Sequence, residues 1–144
     1  MTLLVDTSVW SLALRRDVQD QAPEVHALVD ALGGADIVVT TGLVLQELLQ
    51  GFSGPKAATA IVERFGALAL IHPERDDYIA AAALRNTCRR SGVQIGTVDA
   101  LIAQICIANN LTLLTTDQDF VHAAKHCKLK VWLPTGRSRR DAKP

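Results

Sequence analysis

Thr2-Leu3-Leu4-Val5-Asp6-Thr7-Ser8-Val9-Trp10 is the stretch on which the fold turns. Residues 2–5 form an apolar run with no polar alternation, as expected of a short strand covered on both faces. Asp6, Thr7 and Ser8 follow at once, and all three are side chains that start helices well, so a helix is expected over residues 7–16. A buried strand feeding directly into a helix is the first half of an α/β unit.

Outward from this stretch the alternation repeats. Pro23 opens a second helical pattern in which Val25, Leu28, Val29 and Leu32 recur at helical spacing until Gly33 and Gly34 close it. Residues 36–40 read as a strand around Ile37, Val38 and Val39. Residues 42–52 are helical, with Val44, Leu45, Leu48, Leu49 and Phe52 on one face; Gly51 to Pro55 break that pattern, and a short helix follows to Phe65. A strand is expected over 68–71, and Pro73 then opens a long helix to about Ser91, ended by Gly92. Thr97 is expected to cap a helix over 98–108 whose Val98, Leu101, Ile102 and Ile105 form one stripe. A strand over 111–115, a short helix over 117–125 and a last strand over 130–133 complete the pattern.

This order predicts an α/β protein with three α/β/α layers, a central, mainly parallel sheet of four to five strands and right-handed crossovers. One domain over residues 1–135 and a basic polar tail over 136–144 are expected.

Composition fits that class. The 144 residues are 49% hydrophobic but only 4% aromatic, so Leu, Val, Ile and Ala must fill the interior. Cys88, Cys106 and Cys127 are odd in number and contain no C-x-x-C pair, which suits reduced thiols in a cytoplasm. There is no basic leader with a cleavage site, and no apolar stretch reaches membrane-spanning length, so a soluble protein without membrane contact is expected. The formal net charge is zero, whereas nucleic-acid binders usually carry a basic surplus. With four of the 15 acids set aside as metal ligands, 15 Lys and Arg face 11 acids, a balance compatible with RNA.

Topology brings acids together. Asp6 ends the first strand and Asp117 lies just past the strand over 111–115, so both belong to the carboxyl edge of the sheet, where ligands of such sheets bind. Asp99 sits in the first turn of a helix that runs antiparallel to the strands, and its helix therefore begins at that same edge. Glu47, midway along the helix after the second strand, reaches the rim less directly. Taken singly, each acid has a structural role open to it: Asp6 and Asp117 as N-caps, Asp99 as complement to a helix dipole, Glu47 on a solvated face beside Gln46 and Gln50. Taken together they repel by about 4 kcal/mol per pair at ~4 Å and an effective dielectric of ~20, and so call for protons or cations. Carboxylate oxygens suit Mg²⁺ or Mn²⁺, and the chemistry such a site serves is phosphoryl transfer.

Leu4-Val5-Asp6-Thr7-Ser8, Glu47-Leu48-Leu49-Gln50-Gly51, Val98-Asp99-Ala100-Leu101-Ile102-Ala103 and Leu114-Thr115-Thr116-Asp117-Gln118-Asp119-Phe120 occur in this order along nearly the whole chain. In these motifs the sequence resembles the PIN-domain ribonucleases, and within them the VapC toxins of toxin–antitoxin pairs. The resemblance implies a PIN-like fold and an acidic quartet of Asp6, Glu47, Asp99 and Asp117 around Mg²⁺, with Mn²⁺ as substitute; Asp6 and Asp99 are the safest direct ligands. Asp119 is an auxiliary ligand candidate, and the Ser8 and Thr115 hydroxyls are suited to orienting a carboxylate or a water. Also implied are endonucleolytic hydrolysis of RNA by metal-activated water, a homodimer or higher assembly, and inhibition by a cognate VapB antitoxin.

Arg85 and Arg89 lie one helical turn apart and are candidate RNA contacts, although cations at a helix end also complement its dipole, as Arg15 and Arg16 would. The tail carries Arg137, Arg139, Arg140 and Lys143 against Asp141. His122 and His126 share the i, i+4 spacing of some metal sites, a spacing that is usually incidental without a partner motif. A haloacid-dehalogenase-like phosphatase would need a second Asp where Ser8 stands, and a receiver domain would need a Lys after the last strand, where Pro134 stands. A non-catalytic PIN-type scaffold that binds RNA or protein is the remaining alternative, and the sequence does not name the RNA.

Overall fold

Five short strands alternate with seven helices in the computed structural model, which describes residues 1–15 and 22–134. The order is β1 (Thr2–Val5), α1 (Thr7–Leu14), α2 (Pro23–Gly33), β2 (Ile37–Thr41), α3 (Gly42–Gly51), α4 (Pro55–Gly66), β3 (Ala69–Ile71), α5 (Arg75–Arg90), α6 (Thr97–Ala108), β4 (Thr112–Leu114), α7 (Gln118–Ala123) and β5 (Lys130–Val131). The strands form one sheet in the order β3-β2-β1-β4-β5, and every neighbouring pair is parallel. The expected mainly parallel sheet is thus wholly parallel among the described residues.

The central strands are buried on both sides, which is why they read as unbroken apolar runs: Leu3, Leu4, Val5, Leu113 and Leu114 are almost fully enclosed. From β1 the chain steps to β2 and β3 on one side, then crosses back to β4 and β5 on the other. Right-handed crossovers therefore place α1 to α4 on one face and α5 to α7 on the opposite one. The contacts of α1 with α2 and α3, of α3 with α4 and of α5 with α6 agree with these layers. Trp10 of α1 meets Phe65 of α4 at a ring-centroid distance of 5.0 Å, joining two helices of the first layer. Because β1 and β4 are neighbours whose following helices leave toward opposite faces, a crevice opens between their carboxyl ends.

Several element ends differ from the sequence reading. α1 ends at Leu14 with Arg15 extended at its C-cap, and Arg16 lies outside the described residues, as do Thr135 and the whole expected tail over 136–144. α4 is three turns rather than a short piece, because Pro55 starts it and Ile61 and Phe65 anchor it in the core. The helix expected to be capped by Thr97 is capped by Gly96, and Thr97 is its first residue. The long helix begins at Arg75, where the Asp77 carboxylate accepts from the Glu74 N–H at 2.9 Å. α7, β4 and β5 are each shorter than expected, although Trp132 N–H still donates to Leu113 O at 2.9 Å beyond β5.

Candidate active site

The end of β1 sets the first acid. Asp6 N–H donates to Leu114 O at 2.9 Å, carrying the β1–β4 pairing one residue past the strand, while Asp6 O accepts from Val9 and Trp10 to start α1. Its backbone is the N-cap of α1, yet its side chain makes no cap bond. The carboxylate turns instead into the β1–β4 crevice, where it is 6% exposed. Ser8 Oγ and Thr115 Oγ1 each donate to Asp6 Oδ2 at 2.8 Å. Each hydroxyl also accepts a backbone N–H: Ser8 from Thr116 at 3.1 Å, Thr115 from Asp117 at 3.0 Å. Both hydroxyl protons are therefore spent on Asp6, so the 3.4 Å approach of the two oxygens carries no donated proton. The arrangement fixes the carboxylate through Oδ2, while Oδ1 takes no hydrogen bond among the described residues.

Asp117 caps α7, its Oδ1 accepting from Asp119 N–H at 2.9 Å, so the structural role open to it in the sequence is real and leaves Oδ2 without a donor among the described residues. Asp119 stands exposed on that first turn. Glu47 is exposed on α3, and Thr7 Oγ1 donates to its Oε1 at 2.9 Å. That bond ties the middle of α3 to the first turn of α1, beside Asp6. Thr7 is the site residue the sequence reading passed over. Its only signal is adjacency to Asp6.

Asp99, in the first turn of α6, registers the convergence. Its carboxyl is pushed up to about 6, first by burial and then by Asp6, Asp117, Glu47 and Asp119 in turn. The other four predicted acids thus all act on Asp99. Among the described residues no basic side chain forms an ion pair with them, the ion pair found there joining the Met1 amino group to Asp36 at 3.1 Å. Nor do His122 and His126 contribute: among the described residues no group of three or more His, Cys, Asp or Glu is placed so that it could hold a metal ion. The donor set present suits an open site instead, since Mg²⁺ typically takes one or two protein carboxylates and fills the remainder with water and phosphate oxygens. Cys106, buried beside Asp6, has its thiol pushed up to about 12 by burial and then by Asp6, which makes it inert.

Arg85 and Arg89, the candidate RNA contacts, lie on α5. Arg85 Nε donates to Ile95 O at 3.0 Å, pinning the α5–α6 connection, and Arg89 is exposed one turn further along α5. The three cysteines are free, and no helix among the described residues is long and apolar enough to cross a membrane.

The model of the PIN domain matches residues 3–126. The chain belongs to the PIN-domain family. Solved structures carry the same fold. VapBC2 from Rickettsia felis, bound to a DNA fragment from its promoter, superposes with a TM-score of 0.71 at 23% identity, covering 92% of this chain and 98% of the other. VapBC-1 from nontypeable Haemophilus influenzae gives 0.70 at 19%, with 92% and 97% covered. Mycobacterium tuberculosis VapC20, described as a sarcin–ricin-loop-cleaving toxin, gives 0.66 at 22%, with 89% and 98% covered. No curated protein matches this PIN-domain chain in sequence. Within the domain, Asp6, Asp99 and Asp117 lie at the central crevice by topology, and Glu47 is drawn there by a hydrogen bond.

Proposed function

We propose that this PIN domain is a divalent-metal-dependent endoribonuclease and the toxin half of a type II toxin–antitoxin pair of the VapC kind. The observation that carries the reading is the group of acids around Asp99, gathered from four segments of the chain and joined by no ion pair to a basic side chain among the described residues. Such a group is costly to keep ionised unless a cation joins it. Asp6 and Asp99 would hold the ion, with Glu47 and Asp117 beside them and Asp119 at the margin. When bound, Mg²⁺ or Mn²⁺ supplies the positive charge that acidifies a water and neutralises the scissile phosphate.

The chain's own residues do the positioning. Ser8 and Thr115 hold the Asp6 carboxylate in one orientation, which leaves Oδ1 as its acceptor toward the ion. Thr115 also holds the backbone of Asp117, coupling two acids through one hydroxyl. Thr7 fixes Glu47 from the other side. Cys106, the thiol beside Asp6, is enclosed and protonated, and the Ser8 and Thr115 hydroxyls are engaged with Asp6, so direct hydrolysis by water fits better than a covalent intermediate.

RNA as substrate and an antitoxin as partner are supported by the neighbouring structures, several of which are VapBC complexes whose matched chains are almost coextensive with this one. A VapB-type protein that covers the acidic crevice, a homodimer and a cytoplasmic setting follow from the same reading. The test is cleavage of RNA by the purified chain in Mg²⁺, with loss of cleavage in excess EDTA; undiminished cutting in EDTA rejects it.

A further inference from the structure

We propose that the cleft between α5 and α6 is a subsite for one unpaired nucleotide of the RNA, with Tyr78 stacking on its base and Arg85 contacting its phosphate. The inference rests on the RNA substrate of the proposed function and adds a place where that substrate is read.

The cleft has a volume of about 350 Å³, within the range of small-molecule clefts. On α5, Tyr78 and Arg85 stand two turns apart with Ala81 and Ala82 between them, and the small side chains open a notch between two large ones. Val98 and Leu101 of α6 form the facing apolar wall. Tyr78 is 56% exposed and Val98 39%, so the walls present an aromatic ring and an aliphatic surface to solvent.

Charge selects the occupant. Among the described residues no carboxylate lines this cleft, in contrast to the rim beside it. Arg85 spends Nε on Ile95 O, which fixes the plane of its guanidinium, and among the described residues both terminal nitrogens are without a partner. A planar fork held in this way suits a phosphate. An exposed aromatic ring beside a fixed guanidinium is the combination that takes up unstacked bases of single-stranded RNA.

Position connects the cleft to the chemistry. Thr97 and Val98 line it, and Asp99, the next residue of the same turn, belongs to the acidic cluster. One helical turn therefore joins the place where a base would rest to the place where a phosphodiester would be cut.

Fluorescence anisotropy of a labelled single-stranded RNA in EDTA reads binding without cleavage. Tyr78→Ala is expected to weaken binding about tenfold, and Tyr78→Trp to retain it, as a stacking surface requires. Arg85→Gln should reduce the slope of log affinity against log salt by about one, the signature of one lost phosphate contact. Wild-type binding that Tyr78→Ala leaves unchanged, or no binding at all, overturns the subsite. Light scattering covers the other occupant: if Tyr78→Ala abolishes self-association and the resulting monomer binds RNA as the wild type does, the face belongs to a second copy and the proposal fails. Binding that depends on Tyr78 in a protein that cuts no RNA with Mg²⁺ would uphold the subsite and overturn the nuclease reading instead.

Discussion

Thr7 Oγ1 donates a 2.9 Å hydrogen bond to Glu47 Oε1 across 40 residues of sequence. Glu47 is otherwise an exposed acid on the middle of α3, and this bond holds it against the start of α1, next to Asp6. The acidic cluster is thereby assembled by hydroxyls as much as by strand ends.

Thr7→Val keeps the shape of the side chain and removes the donor. Metal affinity is expected to fall about tenfold, in line with other losses of a partner that orients a ligand, while stability changes by no more than ~1 kcal/mol at so exposed a bond. Titration with Mn²⁺ followed by calorimetry checks this. Affinity equal to wild type would show that Glu47 needs no tether.

Ser8→Ala and Thr115→Val strip the two donors from Asp6 Oδ2. Asp6 and Thr115 are both buried, so each change should cost about 1–3 kcal/mol in urea unfolding, and the pair less than the sum, because the two hydroxyls serve one oxygen. Thr115→Ser retains the donor and should retain most of the metal affinity. Equal losses for Thr115→Ser and Thr115→Val would place the role of the residue in packing.

The pH dependence follows from Asp99. Its carboxyl lies near 6 in the fold, above its ordinary value of 3.8, so the folded chain binds this proton more tightly than the unfolded chain. Stability from this group is present below about 4 and is lost as the pH rises through about 6. In metal-free protein, Asp99→Asn should therefore melt higher than wild type at pH 7.5, and the difference should close by pH 4. Differential scanning calorimetry at the two pH values decides it, and identical melting of variant and wild type at pH 7.5 would show that Asp99 carries no such strain.

Metal should reverse that strain. Mg²⁺ at about 100 times its dissociation constant is expected to stabilise the wild type by ~2.7 kcal/mol at pH 7.5 and to leave Asp6→Asn almost unmoved. Equal stabilisation of both would place the ion elsewhere.

Much of the fold was legible because a doubly covered sheet writes its strands as unbroken apolar runs, as at Leu3-Leu4-Val5 and Leu113-Leu114. Asp6 and Asp117 were legible for a topological reason, since residues that end neighbouring parallel strands must share an edge. Asp99 followed from the direction of its helix. Glu47 was harder, because its place depends on the rotation of α3 and on a hydroxyl 40 residues away, neither of which leaves a local pattern. The hydroxyls of Ser8 and Thr115 were visible as residue types, but their shared target on one oxygen of Asp6 is a tertiary fact. The bond from Arg85 to Ile95 O is equally silent in sequence, for it is made to a backbone carbonyl that any residue would offer. Gly96 in place of Thr97 as the cap of α6 shows that helix ends are set by backbone conformation at least as much as by side-chain preference.

The most direct measurement is the rate of RNA cleavage in Mg²⁺ by stringently purified wild type, Asp6→Asn and Asp99→Asn. Cleavage by the wild type that either substitution lowers at least a hundredfold, with the variants still folded, is the predicted result. Cleavage by folded Asp6→Asn at the wild-type rate would contradict an acidic metal site at the β1–β4 crevice.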